Sequence, residues 1–353
     1  QGRNVSILNK YLLNFRYAFR PRKPLLVGRL AMALIRVLVF KQRPLRYVDF
    51  AIGYACNLKC EHCFATALQS SGRRSLTPQE YRGIVHQAMD LGAVNFSFQG
   101  GEPTLYPQLR EYIRNAFPHQ NLVSVTTNGT MLDEEKILDL RSIGVDILTI
   151  SLDSANPEEH DRFRGVRGTF EKTMKTITTA RKLRMNVTLG AVIAKGTVFT
   201  PGFRELVELA HRLNVILFVA MATPVGAWEG REDVMLTSED KAHLEVLLRK
   251  YPLLRTDFEA NWVARGCGAV KEILYLTPYG DVLGCPFLHV SLGNVFEETL
   301  KEIRTRRLSS KWFSQYHPHC LAAEDKEFIR QFQGQFYCGE GMPRRFVDQG
   351  LSS

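Results

Sequence analysis

Acidic residues are missing altogether from the first 46 positions, which carry eleven lysines and arginines. Beyond them, 35 basic residues face 36 acidic ones, so the formal charge of +10 belongs to the N-terminal arm and the rest is nearly neutral. Charge confined in this way bears on which surfaces attract the protein, not on its fold. An uninterrupted apolar run of membrane-spanning length is also lacking. The segment Leu25 to Phe40 approaches one, but it contains Arg29 and Arg36, and arginines are expensive at a bilayer centre. Basic residues of the arm alternate with aliphatic side chains more than with aromatic ones, so nucleic acid is not an expected partner. No small-residue cleavage site follows the apolar stretch, which argues against a secretory signal. There is no close internal repeat and no low-complexity tract. Cysteine is sparse, seven in 353 residues, and its grouping suggests metal ligands in a reducing compartment.

What the arm does contain is two apolar stretches, Ile7 to Phe19 and Leu25 to Phe40. In the second, Arg29 and Arg36 are seven residues apart and share a helical face, leaving Leu, Ile, Val, Met and Phe for the other. That pattern suits an amphipathic helix on an anionic membrane surface, with residues 1–46 as the contact. The expected location is then cytoplasmic, peripheral on the inner face of the membrane. The alternative is a helix packed beneath the following domain, its arginines solvated or paired.

From Tyr47 to about Ala220 the chain alternates between two periodicities. Strands are predicted at 47–54, 94–98, 122–127, 146–151, 187–193 and 215–220, and helices at 78–91, 107–116, 133–143, 169–183 and 202–213. Thr77-Pro78 starts a helix with a capping hydroxyl and a proline at the first turn. Gly92 and Gly144 stand where helices should stop. Repeated βα units of this length predict a parallel sheet with helical crossovers. A hydrophobic content of 45% supplies a sizeable core, and the length allows two ordinary domains or one barrel with appendages.

Directly after the first strand come Cys56, Cys60 and Cys63, spaced C-x3-C-x2-C. Thiolates are soft ligands that suit zinc or iron–sulfur clusters. A zinc finger closes its site with four ligands, yet the next cysteine is Cys267. A cluster held by three protein thiolates would leave one iron with an open site. The triplet, with His62 in an aromatic slot, resembles the motif of the radical S-adenosylmethionine (SAM) enzymes. The resemblance implies a partial (β/α)6 TIM-like barrel over residues 47–235 and a [4Fe-4S] cluster on Cys56, Cys60 and Cys63. It also implies SAM bound at the open iron, and an external flavodoxin- or ferredoxin-like electron donor. Further motifs follow in family order. Gly100-Gly101-Glu102-Pro103 resembles the element that secures the SAM amino group. Asn128 lies in Thr126-Thr127-Asn128-Gly129, and Ser151 and Asp153 end the fourth strand where ribose and carboxylate contacts are expected. Thr188, Gly190 and Val192 occupy a looser adenine-side pattern. One of Arg162, Arg164 and Arg167 would meet the SAM carboxylate, without the sequence saying which.

The segment Met221 to Arg231 reads as barrel mouth, with Trp228 either a substrate wall or core. A capped helix, Thr237 to Tyr251, leads to a small α+β unit within 236–353. There Cys267-x12-Gly280-x4-Cys285 brackets two strands joined by Pro278-Tyr279-Gly280, a good hairpin. This arrangement resembles the SPASM and Twitch auxiliary-cluster domains, and Cys320 and Cys338 would complete four ligands for a second iron–sulfur cluster. Either of these later cysteines could instead be a free thiol that donates a hydrogen atom. The expected function is reductive cleavage of SAM and hydrogen abstraction from an unactivated C–H bond, of a lipid or membrane-associated substrate on the evidence of the arm. A ribosomal peptide or a small sugar-like metabolite is the alternative substrate, and a non-catalytic iron–sulfur protein the alternative class.

Overall fold

Residues 20, 22–261, 266–333 and 343–346 are described by the computed structural model. Six parallel strands follow one another in chain order: β1 (Tyr47–Gly53), β2 (Asn95–Gly100), β3 (Leu122–Thr127), β4 (Ile147–Ser151), β5 (Asn186–Ile193) and β6 (Ile216–Met221). Each falls within a residue or two of its predicted span. Between them run α2 (Pro78–Asp90), α3 (Leu109–Asn115), α4 (Glu134–Ser142), α5 (Pro157–Arg164), α6 (Thr169–Lys182) and α7 (Pro201–Leu213). Short α5 was not expected. It is capped by Asn156, whose side chain accepts from the Glu159 amide, and stops at Gly165 in a left-handed conformation.

Alternation along the strands sends Phe50, Phe98, Val123, Val125, Leu148 and Ile150 into a core shared with the helices. Phe50 stacks on Tyr81 of α2, with ring centroids 4.3 Å apart. Thr77 and Glu80 form the capping box that Thr77-Pro78 foreshadowed. Gly92 and Gly144 have φ of 109° and 101°, which only glycine adopts without strain.

The sheet does not close. On one side β7 (Leu254–Arg255), reached through α8 (Ser238–Lys250), adds to β6. On the other, β8 (Ile273–Leu276) pairs in parallel with β1, and β9 (Asp281–Leu283) turns back antiparallel to it. The cysteine-bracketed hairpin is thus a continuation of the barrel sheet. The remaining strands are β10 (Val290–Ser291), β11 (Gly293–Asn294) and β12 (Arg344–Arg345), with helices α9 (Leu300–Leu308) and α10 (Lys326–Phe328).

The arm helix α1 (Pro24–Leu38) lies under the N-terminal ends of the strands. Leu26 is buried against Val94, Leu122 and Ile147, which begin or precede β2, β3 and β4. Lys23 donates to the carbonyls of Asn121 and Gly144 and pairs with Asp146, and Arg29 donates to the Ala93 carbonyl. The arginine face therefore turns toward the barrel, while Leu25, Met32, Leu34, Ile35 and Leu38 are exposed. Floor carbonyls left unpaired where strands begin are what attract the cations. The packed-beneath alternative describes this helix, with Arg29 paired to a carbonyl rather than solvated. Among the described residues no helix is long and apolar enough to cross a membrane, and the Ile7–Phe19 stretch lies outside them.

Asp146 joins arm to barrel, since it also accepts from the buried Val123 amide at 2.9 Å. Asp146→Ala should cost about 1–3 kcal/mol by leaving that amide unpaired. Urea unfolding would measure the loss, and trypsin should cleave the arm faster than in the parent.

Candidate active site at the barrel mouth

The pairing of β1 with β2 runs on past the strands. Gly101 N donates to Gly53 O at 2.8 Å, and Glu102 N to Ala55 O at 2.9 Å. A Cβ on Gly100 would fall 2.3 Å from Gly53 O, and one on Gly101 would fall 2.1 Å from Ala55 O. These glycines let backbone lie against the main chain that enters the cysteine loop. Glu102 is fully buried. Its Oε1 accepts from Thr104 N, Thr104 Oγ1 and Thr127 Oγ1, and its Oε2 from Asn128 N at 2.8 Å. Burial pushes this carboxyl above its usual range, with the donors pulling the other way. Four protein donors already occupy the group expected to hold the SAM ammonium, leaving spare acceptor capacity chiefly on Oε2. Asn128 in turn donates to Asn57 Oδ1 at 2.9 Å, with its amide nitrogen 4.0 Å from Cys56 Sγ.

Of the three arginines left open by the sequence, Arg164 is buried while Arg162 and Arg167 are exposed. Its Nε donates to Asp153 Oδ2 at 2.7 Å and its Nη1 lies 3.7 Å from Cys60 Sγ. Burial opposes the guanidinium charge, but Asp153 and Cys60 raise its pKa overall. Asp153 feels the converse: burial would raise it, yet Arg164, His62, His160 and the Val192 amide hold it below the ordinary value. Asp153 Oδ1 accepts from Val192 N at 3.1 Å, so both oxygens are engaged by the protein. Ser151 ends β4 in register with Gly190 and is half-buried, as are Thr188 and Val192.

His62 stacks on Phe163, centroids 4.5 Å apart and planes 10° off parallel, with Trp228 at 5.9 Å. Burial, aided by Arg164, lowers His62 to about 3, so the ring is neutral. The buried His62 Nδ1 and Trp228 Nε1 meet no partner among the described residues. Such orphaned polar atoms beside flat rings suit a planar heteroaromatic ligand. Phe163 and Arg164 were missed or left open because unexpected α5 carries both.

No disulfide joins the described cysteines. Cys56 is exposed, and Cys60 and Cys63 are half-buried. Cys267, Cys285 and Cys320 form a second gathering, close enough for Cys285 and Cys320 to feel the neighbouring thiols after burial has already pushed them up. Burial also raises Cys267, against the pull of the fully buried Lys271. Cys338 lies outside the described residues. Among these residues, three metal-binding groups come within 4.8 Å of one another only at His317, His319 and Asp325. The two sulfur triads are more open than that, as a cluster holding each thiolate on its own iron requires, and their donors fit iron–sulfur chemistry. Phe64, next to Cys63, meets Phe287, two residues after Cys285, with centroids 5.6 Å apart.

Residues 50–210 match the radical SAM superfamily, and residues 267–323 match SPASM, an iron-sulfur cluster-binding domain. The chain belongs to the radical SAM superfamily. It is 26% identical to an AdoMet-dependent heme synthase of Methanosarcina barkeri (strain Fusaro / DSM 804), over 73% of this chain and 81% of that one. It is 25% identical to the PqqA peptide cyclase of Rhizobium meliloti (strain 1021), over 77% and 74%. The fold resembles Streptococcus suis SuiB bound to precursor peptide SuiA, with a TM-score of 0.61 and 18% identity over 78% of this chain and 68% of that one. This radical SAM enzyme therefore works with a [4Fe-4S] cluster and SAM, and its SPASM domain implies auxiliary iron–sulfur clusters in addition.

Removing Arg164 would strand a buried carboxylate. Arg164→Met should destabilise the protein by about 3–5 kcal/mol. Arg164→Met/Asp153→Asn should recover part of that loss in urea unfolding, since the two charges compensate each other.

Proposed function

We propose that this radical SAM enzyme abstracts a hydrogen atom from an unactivated C–H bond of a peptide. Residues 47–235 form the SAM-cleaving barrel in this reading, and 236–353 the auxiliary-cluster unit, with a flavodoxin- or ferredoxin-like protein as electron donor. The observation that carries it is the Phe64–Phe287 contact, which sets the Cys267, Cys285 and Cys320 gathering beside the mouth where Cys56, Cys60 and Cys63 lie. A substrate entering there would meet both. The PqqA peptide cyclase is named for a peptide, and the SuiB structure contains one; the Methanosarcina relative is named for heme.

Held on Cys56, Cys60 and Cys63, the cluster would supply the one-electron chemistry for reductive SAM cleavage and hydrogen abstraction. The chain's own residues position and shield. Arg164, anchored by Asp153, faces Cys60. His62, Phe163 and Trp228 offer flat apolar surface and two unpaired ring nitrogens to the adenine, and the Gly190 and Ser151 wall borders the ribose side. Glu102 and Asn128 fix the loops that carry these groups, the preorganisation on which orientation depends.

A lipid or membrane-associated substrate is the second reading, favoured by the exposed apolar flank of α1. It ranks lower because α1 lies under the opposite ends of the strands. A six-residue strand such as β2 spans about 20 Å, so a bilayer beneath α1 would leave the mouth facing away from it.

Reconstituted anaerobically with dithionite and SAM, the enzyme should form 5′-deoxyadenosine, and Cys60→Ala should form none. With a perdeuterated peptide pool, deuterium should appear in 5′-deoxyadenosine; transfer only from deuterated lipid or porphyrin would overturn the peptide assignment. Full-length protein should co-float with anionic vesicles and Leu34→Glu/Leu38→Glu should not. Absence of parent binding would remove the membrane contact.

A further inference from the structure

Beside the second sulfur gathering, the segment around Cys320 brings together two imidazoles and a carboxylate. Ligand atoms of His317, His319 and Asp325 all lie within 4.8 Å of one another. His319 Nε2 is 2.9 Å from Asp325 Oδ2. His317 Nε2 is 2.9 Å from the Trp312 carbonyl; that acceptor fixes the proton on Nε2 and leaves the Nδ1 lone pair free. A ring whose second nitrogen is held by a backbone carbonyl is the usual state of a metal-ligating histidine. Asp325 has an independent anchor, because its Oδ1 accepts from Phe328 N at 2.9 Å to cap α10. All three residues are partly accessible, and the His319 side chain is 40% exposed, so an ion can enter from solvent.

From these contacts we infer that His317, His319 and Asp325 form a mononuclear site for a divalent transition-metal ion, separate from the iron–sulfur centres. Two nitrogens and one carboxylate oxygen are a borderline donor set that suits Zn2+ and its neighbours, with a fourth position left for water.

The ion would staple a cluster-bearing loop. Cys267 N donates to His317 O at 2.8 Å and the two residues form a β-bridge. His319 directly precedes Cys320, whose amide is held by Glu324 Oε2 at 2.7 Å. One ion across 317, 319 and 325 would thus clamp the segment that presents Cys320 to Cys267 and Cys285, and stabilise the native state by mass action.

The test uses full-length protein with its iron–sulfur clusters reconstituted, chelator-washed, then titrated with Zn2+ or Co2+. One equivalent of Co2+ should bind with ligand-field bands and no added sulfur-to-cobalt charge transfer, and Zn2+ should displace it and raise Tm. His319→Gln and Asp325→Asn should each lose that equivalent and that Tm gain. Asparagine still caps a helix, so Asp325→Asn keeps α10 while weakening the site. Uptake by the parent no greater than by the His319→Gln or Asp325→Asn protein would overturn the inference. So would auxiliary-cluster EPR spectra that differ between the variants and the parent when both are chelator-washed, which would make these side chains cluster ligands. Metal uptake is read without turnover, so its failure is distinct from failure of the peptide reading.

Discussion

Glu102 accepts four hydrogen bonds, from Thr104, Thr127 and Asn128, and through them fastens the end of β2 to the end of β3. Asn128 carries the linkage on to Asn57 in the cysteine loop. Parallel strands alone set spacing, not the course of the chain beyond their ends. A buried carboxylate is costly unless its lone pairs are met, so the loops around Glu102 have one arrangement that satisfies it. The cysteine loop and the barrel mouth inherit their geometry from that requirement.

Arg164 extends the same logic across the mouth. It couples α5 to the cysteine loop through Asp153 and Cys60. With the cluster held on Cys60 as proposed, an N–H directed at that sulfur would tune the centre, so the residue that steadies the loop would also bear on its electronics. The aromatic stack of His62 and Phe163 arises from the same helix, which makes α5 a second organiser of the site.

Much of this was legible in the chain. Period-two strands, capping residues and the C-x3-C-x2-C spacing are local signals, and local signals gave six strands and the first sulfur triad. What escaped was set by long-range packing. Nothing near Ile273 says that β8 will pair with β1, because partner choice depends on which strand lacks a neighbour. Arg162, Arg164 and Arg167 are chemically alike, and only the turn of a short helix buries one of them. Arg29 and Arg36 read as the polar face of a helix at a membrane surface because charge usually stays in contact with water or headgroups. Carbonyls at the barrel floor reversed the orientation, which a sequence pattern records as amphipathicity without a direction.

The β8–β1 pairing has a consequence for how the protein can be divided. A version ending before Ile273 would bare the whole outer edge of β1, the strand that delivers the first cysteine. Unprotected edges of that kind template intermolecular pairing and aggregation. The segment carrying β8 therefore serves the barrel as its edge guard.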